Sequence, residues 1–360
     1  MRRGAPYDAQ HGWLDGKTSM YELRITVPLA LACLALPAFA TPLPDSMQAA
    51  AIDCAGGADA VTLHTLPLPQ PGPDEVLIAV DTAGVGVWDA GIRAHPDFIK
   101  HDKFPLVLGT DGAGTVVALG ARVRGFKLGE SVYSYSWDNP QGGFYAQYVA
   151  VPASRVAPVP PGMGLGDAGA IATTGLTALQ GIDDALHIRA GETLIIHGAS
   201  GGVGSLALQF AKLRGARVLA TASGTDGVSF VKQLGADVVV DGRHDDIVAA
   251  ARSFAPKGVD AVLALAGGEA LERCLDALRR GGRLAFPNGV SPEPKARDGV
   301  KVVGYDAVAA PAQFARLSEA VTATKLRVPI AAAYPLAEAS KAHERLESGH
   351  VLGKIVLRVR

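Results

Sequence analysis

The sequence predicts an α/β protein in which a β-rich part is joined to a doubly wound parallel sheet. Residues 47–167 contain short alternating apolar segments such as VLIAV, GTVVAL and YAQYVAV, separated by Gly and Pro turns, which is typical of antiparallel strands. Residues 168–303 contain the apolar strands TLIIH, RVLAT, DVVVD, VDAVLAL and RLAFP, which alternate with helical stretches and favour a parallel sheet. Residues 304–360 add an amphipathic helix and a last strand, KIVLRVR, and we expect them to complete the β-rich part.

Length and composition limit the classes of function. A chain of 360 residues is long enough for two domains, each with its own core. With 34 basic and 35 acidic residues the formal net charge is -1, and the sequence offers no basic stripe for nucleic acid. Cys33, Cys54 and Cys274 lie far apart, without the spacing of a zinc site or a disulfide framework. We therefore expect a small-molecule partner, and neither nucleic acid nor a membrane.

Residues 193–222 are the most informative stretch, because a buried strand, a glycine turn, an amphipathic helix and a second strand follow one another. Glycines let the backbone approach a pyrophosphate closely, and the helix that opens near Val203 directs free N–H groups and its positive dipole end at the phosphate. A glycine turn alone also occurs as an ordinary tight turn, but here the context is complete on both sides. The predicted dinucleotide site contains Gly198, Ser200, Gly201, Gly202, Val203 and Gly204.

The end of the second strand indicates which dinucleotide is bound. Proteins that bind NAD carry an Asp or Glu there, whereas this chain has Ala222, followed by Ser223 and Thr225. A carboxylate would repel a 2'-phosphate, and small residues and hydroxyls leave room for it and donate hydrogen bonds. The sequence therefore predicts NADPH. Lys232 and Arg243 are the candidate cations beside that phosphate, and each is equally well explained as a solvated surface charge.

Residues 1–46 have a different composition. A polar run up to residue 24 is followed by an apolar stretch over 27–40 that ends in AFA before TPLPDS, which is the layout of a secretory signal. This stretch is shorter than the roughly 20 apolar residues that span a bilayer. Met20 and Met47 are alternative starts of translation. Because NADPH is made and recycled in the cytoplasm, we expect a cytoplasmic protein, with a periplasmic or secreted one, exported through residues 1–40, as the alternative.

Eight segments together match one known family over nearly all of the chain after residue 47. They are PGPDEVLIAVDTAGVGVWDAGIR, PLVLGTDGAGTVVALG, GGFYAQYVAVP, TTGLTALQGI, HGASGGVG, LGADVVVD, LRRGGRLAFPNG and GHVLGKIVL. The chain resembles the medium-chain dehydrogenase/reductase superfamily and, within it, the zinc-independent quinone oxidoreductase group that includes zeta-crystallin. The resemblance implies a GroES-like catalytic domain formed by 47–167 and 304–360, a Rossmann NADP-binding domain formed by 168–303, and an active site between them. We also expect a homodimer.

The resemblance also identifies what is missing. Zinc alcohol dehydrogenases of this superfamily carry a Cys after the AGV motif and a Gly-His-Glu motif, but this chain has Gly86, Thr110 and Asp111 there. Glycine and threonine cannot replace the thiolate and imidazole ligands of zinc, so no metal site is expected. Without a Lewis acid to polarise an oxygen, the favoured chemistry is hydride addition to a carbon made electrophilic by conjugation, as in quinones and enones.

The acceptor side also departs from the quinone oxidoreductase pattern. That group usually has an Asn at the position of Gly86 and a Tyr near the position of Gly91. We expect Trp88 and Tyr135 to form a flat apolar wall against the acceptor ring, although aromatic side chains also serve as packing bulk.

The remaining site residues follow from the resemblance. It implies that four residues contact the pyrophosphate and nicotinamide ends of the cofactor and that Lys354 lies beside it. For the proton, Asp89 matches the family's acid, and Tyr135 or Tyr145 could donate through a phenol or a bound water. Asp89 also has a structural alternative as a hydrogen-bonding residue. The four cofactor contacts are Thr174, Thr177, Asn288 and Gly289.

Two alternatives to a quinone or enone reductase remain open. An enoyl thioester reductase shares the superfamily, but acyl-CoA requires a basic entrance, and the sequence shows no Arg or Lys cluster near the cleft. A non-catalytic NADPH-binding protein is the second alternative, because fold alone does not fix function.

Overall fold

The β-rich part is formed by two sheets. In the computed structural model, which describes residues 42–99 and 103–360, its strands are β1 (Ser46–Ile52), β2 (Thr62–Pro67), β3 (Glu75–Val85), β4 (Leu106–Val107), β5 (Asp111–Leu119), β6 (Ser131–Tyr135), β7 (Tyr148–Pro152) and β8 (Val156–Pro158), with β15 (Ile330–Pro335) and β16 (Lys354–Arg358) from the tail. The larger sheet has the order β15, β16, β3, β5, β6, β8, and β7 also pairs with β3. The smaller sheet has the order β2, β1, β4, and both sheets contribute residues to one apolar core.

The other part is a six-stranded parallel sheet. Its strands are β9 (Thr193–His197), β10 (Arg217–Ala222), β11 (Val238–Asp241), β12 (Val259–Ala264), β13 (Leu278–Pro287) and β14 (Lys301–Tyr305). The order is β11, β10, β9, β12, β13, β14, so the chain starts in the middle and winds outward in both directions, as in the Rossmann fold. The predicted fold class is confirmed.

Helices cover both faces of the parallel sheet. Alternate residues of one strand belong to different cores: Ile196 packs with helices on one face, and Ile195 packs on the other. This explains why the strands are apolar throughout, since both of their faces are buried. The helices are α1 (Val87–Ala94), α2 (Leu165–Gln180), α3 (Gly202–Leu213), α4 (Gly224–Gln233), α5 (Ile247–Phe254), α6 (Glu269–Leu275), α7 (Pro311–Thr324) and α8 (Ala339–Glu347).

The predicted domain boundary at 303/304 lies inside structure that belongs to the parallel sheet. Strand β14 continues to Tyr305, pairing with Pro287 of β13. Beyond it, Phe314 and Leu317 of α7 are buried in the core that α2 and α3 share with the sheet. The structure therefore favours a boundary after residue 324. At the other end, α2 begins at Leu165, close to the predicted boundary at 167/168.

The tail brings the two parts together at the glycine turn. The backbone N–H of Gly353, just before β16, donates to the carbonyl oxygen of Ser200 over 2.9 Å. Gly353 has φ 102°, and a side chain there would collide with the Pro329 carbonyl. Residue 354 is thereby held beside the turn that follows β9. None of the helices in the described ranges is long and apolar enough to cross a membrane.

Candidate active site

The glycine turn after β9 has the shape of an anion cradle. Gly198 adopts φ 82°, a left-handed conformation that favours glycine. A Cβ at Gly204 would lie 2.3 Å from the Gly198 carbonyl oxygen, so the first turn of α3 packs directly on the loop. A Cβ at Gly201 would meet nothing closer than 3.6 Å, which leaves the outer side open. Helix α3 starts at Gly202, and the predicted residues 200–203 are all partly exposed at its positive end. These residues fit a dinucleotide pyrophosphate.

Of the two threonines predicted on α2, one lies against this turn. The Thr174 methyl group is 3.4 Å from the position of a Cβ on Gly202. The hydroxyls of Thr174 and Thr177 donate to the carbonyls of Ala170 and Thr173, each over 2.8 Å. Thr177 lies one turn further along the helix. The structure thus brings Thr174 to the turn, and its hydroxyl hydrogen is engaged within the helix.

The corner after β10 contains the residues predicted to bind the 2'-phosphate. Ser223 precedes α4 without using its hydroxyl as a cap, and Thr225 is exposed in the first turn. His350, which the sequence analysis missed, also lies here. His350 Nε2 is 2.8 Å from Asp226 Oδ2, and its ring approaches to 3.7 Å from the position of a Cβ on Gly224. His350 belongs to the GHVLGKIVL segment, whose match to the family is the feature of the sequence that could have identified it.

The two candidate cations occupy different places. Lys232 is seven residues after Thr225, in the last turn of α4, about 10 Å further along the helix. The structure does not bring Lys232 to Ser223, because α4 carries it away from the strand edge. Arg243 lies in the turn after β11, where the N–H of the preceding residue donates to the Ala222 carbonyl over 2.8 Å. Arg243 is therefore the candidate of the two that lies at this corner.

Asn288 and Gly289 follow β13 at the carboxyl edge of the sheet, as predicted. Asn288 is exposed, and its amide nitrogen donates to Asp306 over 2.8 Å, just after β14. Gly289 has φ 92°. In open parallel sheets ligands bind at this edge, so both residues share it with the glycine turn.

Trp88 fills the space where the family pattern has an Asn side chain. A Cβ at Gly86 would lie 2.3 Å from the Trp88 ring, so a residue with a side chain cannot occupy position 86 while the indole is there. The indole N–H donates to Thr110 Oγ1 over 2.6 Å, and Lys354 Nζ lies 4.5 Å from the ring centroid. At Gly91, in contrast, a Cβ would meet nothing within 4 Å. The Trp88 indole therefore occupies the space of the missing side chain at position 86, whereas the missing side chain at position 91 leaves open space.

Asp89 ties the start of α1 to the loop that contains Thr110. Its carboxylate accepts the backbone N–H of Gly86 over 2.8 Å and that of Thr110 over 3.1 Å. Burial raises the pKa of Asp89 to about 7, while the charge of Lys354 lowers it and that of Asp111 raises it. Both oxygens have backbone partners, which favours the structural alternative for Asp89 over a direct role in proton transfer.

Tyr145 is fully buried behind Asp89. Burial, and then the neighbouring Asp89 carboxylate, raise the pKa of Tyr145 well above its usual value. Its hydroxyl lies 3.3 Å from His343 Nε2, and His343 Nδ1 lies 3.0 Å from Arg93 Nη1. Because Arg has no acceptor, Nδ1 must accept and Nε2 carries the hydrogen. Burial, with the charge of Arg93, lowers the pKa of His343 to about 4. The sequence analysis missed His343, which nothing in the motifs indicated.

Tyr135 lies closer to the candidate acceptor side. It stands directly opposite Asp111 in the antiparallel pair of β5 and β6, so the two side chains share one face of the sheet. Tyr135 is half-buried, and burial raises the pKa of its phenol, followed by the charges of Asp111 and Asp306. Of the two tyrosines considered as proton donors, Tyr135 lies on the face that also holds Asp111.

Within residues 42–99 and 103–360, no three His, Cys, Asp or Glu side chains are grouped closely enough to hold a metal ion. The superfamily's ligand positions are Gly86, which has no side chain, and Thr110, whose hydroxyl accepts from Trp88. The residues present therefore do not fit a catalytic zinc.

Comparisons with known proteins agree with this architecture. The family model described as "Alcohol dehydrogenase GroES-like domain" matches residues 72–161, and that described as "Zinc-binding dehydrogenase" matches 234–357. A quinone oxidoreductase from Sus scrofa is 31% identical over 315 residues, which cover 84% of this chain and 94% of that protein.

Solved structures give the same result. The quinone oxidoreductase from Coxiella burnetii is 30% identical, with a TM-score of 0.80, over 88% of this chain and 100% of that chain. A mycobacterial protein in complex with NADPH is 29% identical, with a TM-score of 0.78, over 87% of this chain and 100% of that chain. The chain belongs to the medium-chain dehydrogenase/reductase superfamily and, within it, to the quinone oxidoreductase group, and it is an oxidoreductase that uses a nicotinamide cofactor.

Proposed function

We propose that this chain is a zinc-independent, NADPH-dependent reductase that transfers hydride to a quinone or an α,β-unsaturated carbonyl. The observation that carries the proposal is the indole of Trp88, which occupies the space beside Gly86 and bonds to Thr110 where zinc enzymes have ligands. A flat aromatic side chain suits a flat conjugated acceptor.

The chain's own residues bind the cofactor, orient the acceptor and exclude water from the site. The turn over 198–204 would hold the pyrophosphate, and Asn288 with Gly289 would line the edge next to the nicotinamide. NADPH, when bound, supplies the hydride. Trp88 orients the acceptor, and Asp89 holds the start of α1, which carries Trp88, against the loop that contains Thr110. Orientation of this kind lowers the barrier without a metal, because the reactants meet in a productive geometry.

The NADPH preference is supported by the corner after β10. Ala222 places no carboxylate at the strand end, and Ser223 offers a hydroxyl that caps no helix. Arg243 supplies positive charge at the same corner, where His350 is paired with Asp226. A relative that was solved with NADPH is consistent with this preference.

Stopped-flow loss of NADPH absorbance tests the proposed function. We expect oxidation by benzoquinones, naphthoquinones and simple enones. The panel includes an enoyl thioester, so faster reduction of that compound would replace the proposal by the thioester alternative. Tight NADPH binding without oxidation by any acceptor would instead identify a non-catalytic binding protein.

We also propose a homodimer. Strand β14 is the edge strand of the parallel sheet. Val302 on this strand is 38% exposed, and Val308, shortly after the strand, is 55% exposed. An unpaired edge strand with exposed apolar residues is suited to pairing with another chain. Light scattering coupled to gel filtration decides between a monomer and a dimer. The predicted cytoplasmic location stays a prediction, and the leader before residue 42 lies outside the described residues.

A further inference from the structure

Two buried polar atoms near Trp88 have no hydrogen-bond partner among the described residues. They are Lys354 Nζ and Asp111 Oδ1, whose side chains are 5% and 0% exposed. The two atoms are 3.9 Å apart, which is beyond hydrogen-bond distance although the charges attract. A lysine ammonium donates up to three hydrogen bonds, and buried donors are generally satisfied. Nζ therefore has donor hydrogens that no described residue accepts, and an oxygen of a bound molecule would satisfy them.

The surroundings of Nζ are fixed and partly aromatic. Nζ lies over the Trp88 ring at 4.5 Å from its centroid, a cation–π distance. The indole cannot easily rotate away, because its N–H is bonded to Thr110. Asp111 is held in turn by the backbone N–H of Thr173 over 3.0 Å. The ammonium, the carboxylate and the aromatic face thus form one preorganised unit.

This unit lies between the cofactor turn and the acceptor wall. Lys354 Cδ passes 3.6 Å from the position of a Cβ on Gly202, at the start of α3. The side chain then continues to Asp111 and Trp88, past Gly84, where a Cβ would come within 2.9 Å of Lys354 Cε. The stem of the lysine is next to the glycine turn, and its charged end is next to the aromatic wall.

We propose that Lys354 Nζ binds the oxygen of the hydride acceptor against the face of Trp88, and stabilises the negative charge that develops there. This inference rests on the proposed reductase function. The acceptor carbon gains a C–H bond and two electrons from the nicotinamide cofactor, which is oxidised. One π bond of the acceptor breaks, its electron pair moves to the oxygen, and a proton from water completes the O–H group. Lys354 is then a catalytic residue, and Asp111 is the positioning residue that keeps its charged end in place.

Asp111 also argues against the pyrophosphate as the partner of Nζ. A carboxylate 3.9 Å from the ammonium repels a group that carries two negative charges. A single oxygen that becomes negative only during hydride transfer is repelled less. This assignment differs from the purely cofactor-binding role that the family resemblance implies for Lys354.

The inference is tested with 4-nitrophenol, whose phenolate is an oxyanion on an aromatic ring and is distinguished from the phenol by its absorbance. Titration of the full protein, with and without NADP, should show that the bound probe has a lower pKa than the free probe. Lys354→Met should reduce phenolate affinity about tenfold or more, because it removes a charge-assisted hydrogen bond. Lys341→Met, at an exposed ion pair with Glu338 on α8, is the matched control and should change nothing. Lys354→Arg should restore part of the affinity.

The outcomes separate the inference from the proposed function. If the wild-type protein binds nitrophenol without lowering its pKa, the inference is wrong, whatever the variants do. It is also wrong if Lys354→Met weakens NADPH binding and leaves phenolate binding unchanged, since the lysine then serves the cofactor. If quinone reduction in the wild-type protein is absent while phenolate binding depends on Lys354, the oxyanion site stands and the reductase function fails.

Discussion

The cofactor side and the acceptor side of this site are shaped by different means. On the cofactor side the backbone makes the shape, through the φ of Gly198 and the contact of Gly204 with its carbonyl. On the acceptor side the shape comes from Trp88, Thr110 and Lys354, which are far apart in the chain and meet through side-chain contacts. Local sequence therefore encodes the first side, and the complete fold is needed for the second.

Cofactor binding at the glycine turn should be strongly weakened when a methyl group replaces one Cα hydrogen of Gly204. In Gly204→Ala the new Cβ would lie 2.3 Å from the Gly198 carbonyl oxygen, so α3 must move away from the turn. Because the pyrophosphate site depends on this contact, we expect NADPH affinity to fall about a hundredfold, some 2.7 kcal/mol. Fluorescence titration with NADPH measures the loss.

Gly166→Ala, near the start of α2 and outside the glycine turn, is the matched control for that change. A Cβ at Gly166 would meet nothing within 4 Å, so alanine fits without strain. We expect at most a small change in affinity. Equal losses in both variants would show that the turn is shaped by something other than close backbone packing.

On the acceptor side, the indole of Trp88 restricts which residue fits at position 86. Gly86→Asn, which restores the family's residue, would place a Cβ 2.3 Å from the Trp88 ring. Overpacking of this kind costs about 1–3 kcal/mol, and displacement of the indole should lower kcat/KM for quinones about tenfold. The double variant Gly86→Asn with Trp88→Ala removes the collision and should recover stability.

The open position on the same helix provides the control. A Cβ at Gly91 meets nothing within 4 Å, so Gly91→Ala should leave stability and quinone kinetics nearly unchanged, and alanine is favoured over glycine in a helix. A double variant at 86 and 88 that is no more stable than Gly86→Asn alone would refute the pairing of these two residues. Thermal unfolding and steady-state kinetics on all four proteins make the comparison.

These two sides also differ in how much the sequence reveals. The order strand, glycine turn, helix is continuous, so it predicted the cradle, and Gly198 and Gly204 lie where the motif places them. Gly86 and Gly91 were recognised as two similar losses, but one is filled by Trp88 and the other is open. No local pattern distinguishes them, because the difference depends on how the indole is held by Thr110. His343 and His350 were missed for the same reason, since their partners lie more than 100 residues away.

The corner after β10, which we propose binds the 2'-phosphate, allows a smaller and more specific change. Ser223→Asp introduces a carboxylate at the end of β10, where it repels a 2'-phosphate and accepts from a ribose hydroxyl. We expect the ratio of NADPH to NADH affinity to fall about tenfold or more and the preference to reverse. Lys232→Met is the control, because Lys232 lies about 10 Å beyond Thr225 along α4 and should not affect the ratio. Equal affinities of the unmodified protein for both cofactors would refute the NADPH assignment.

Asp89 should also impose a pH dependence on the stability of the acceptor side, which develops gradually over several pH units. Its pKa is raised from 3.8 to about 7, so between these values the native state holds a proton that the unfolded state has lost. The free energy of unfolding therefore falls as pH rises from about 4 to 7, by at most about 1.4 kcal/mol per pH unit, and levels off above pH 7.

His343 acts in the opposite direction in part of this range. Its pKa is lowered from 6.5 to about 4, so its contribution to stability increases as pH rises through that window. The comparison of wild type with Asp89→Asn cancels this contribution and isolates Asp89. Urea unfolding between pH 5 and 8 should show a difference between the two proteins that changes with pH below 7 and is constant above it. The variant is less stable overall, since one amide cannot accept from both backbone N–H groups, but only the change with pH tests the carboxylate. A constant difference across the whole range would mean that Asp89 stays ionised, and that the contact between the start of α1 and the Thr110 loop is insensitive to pH.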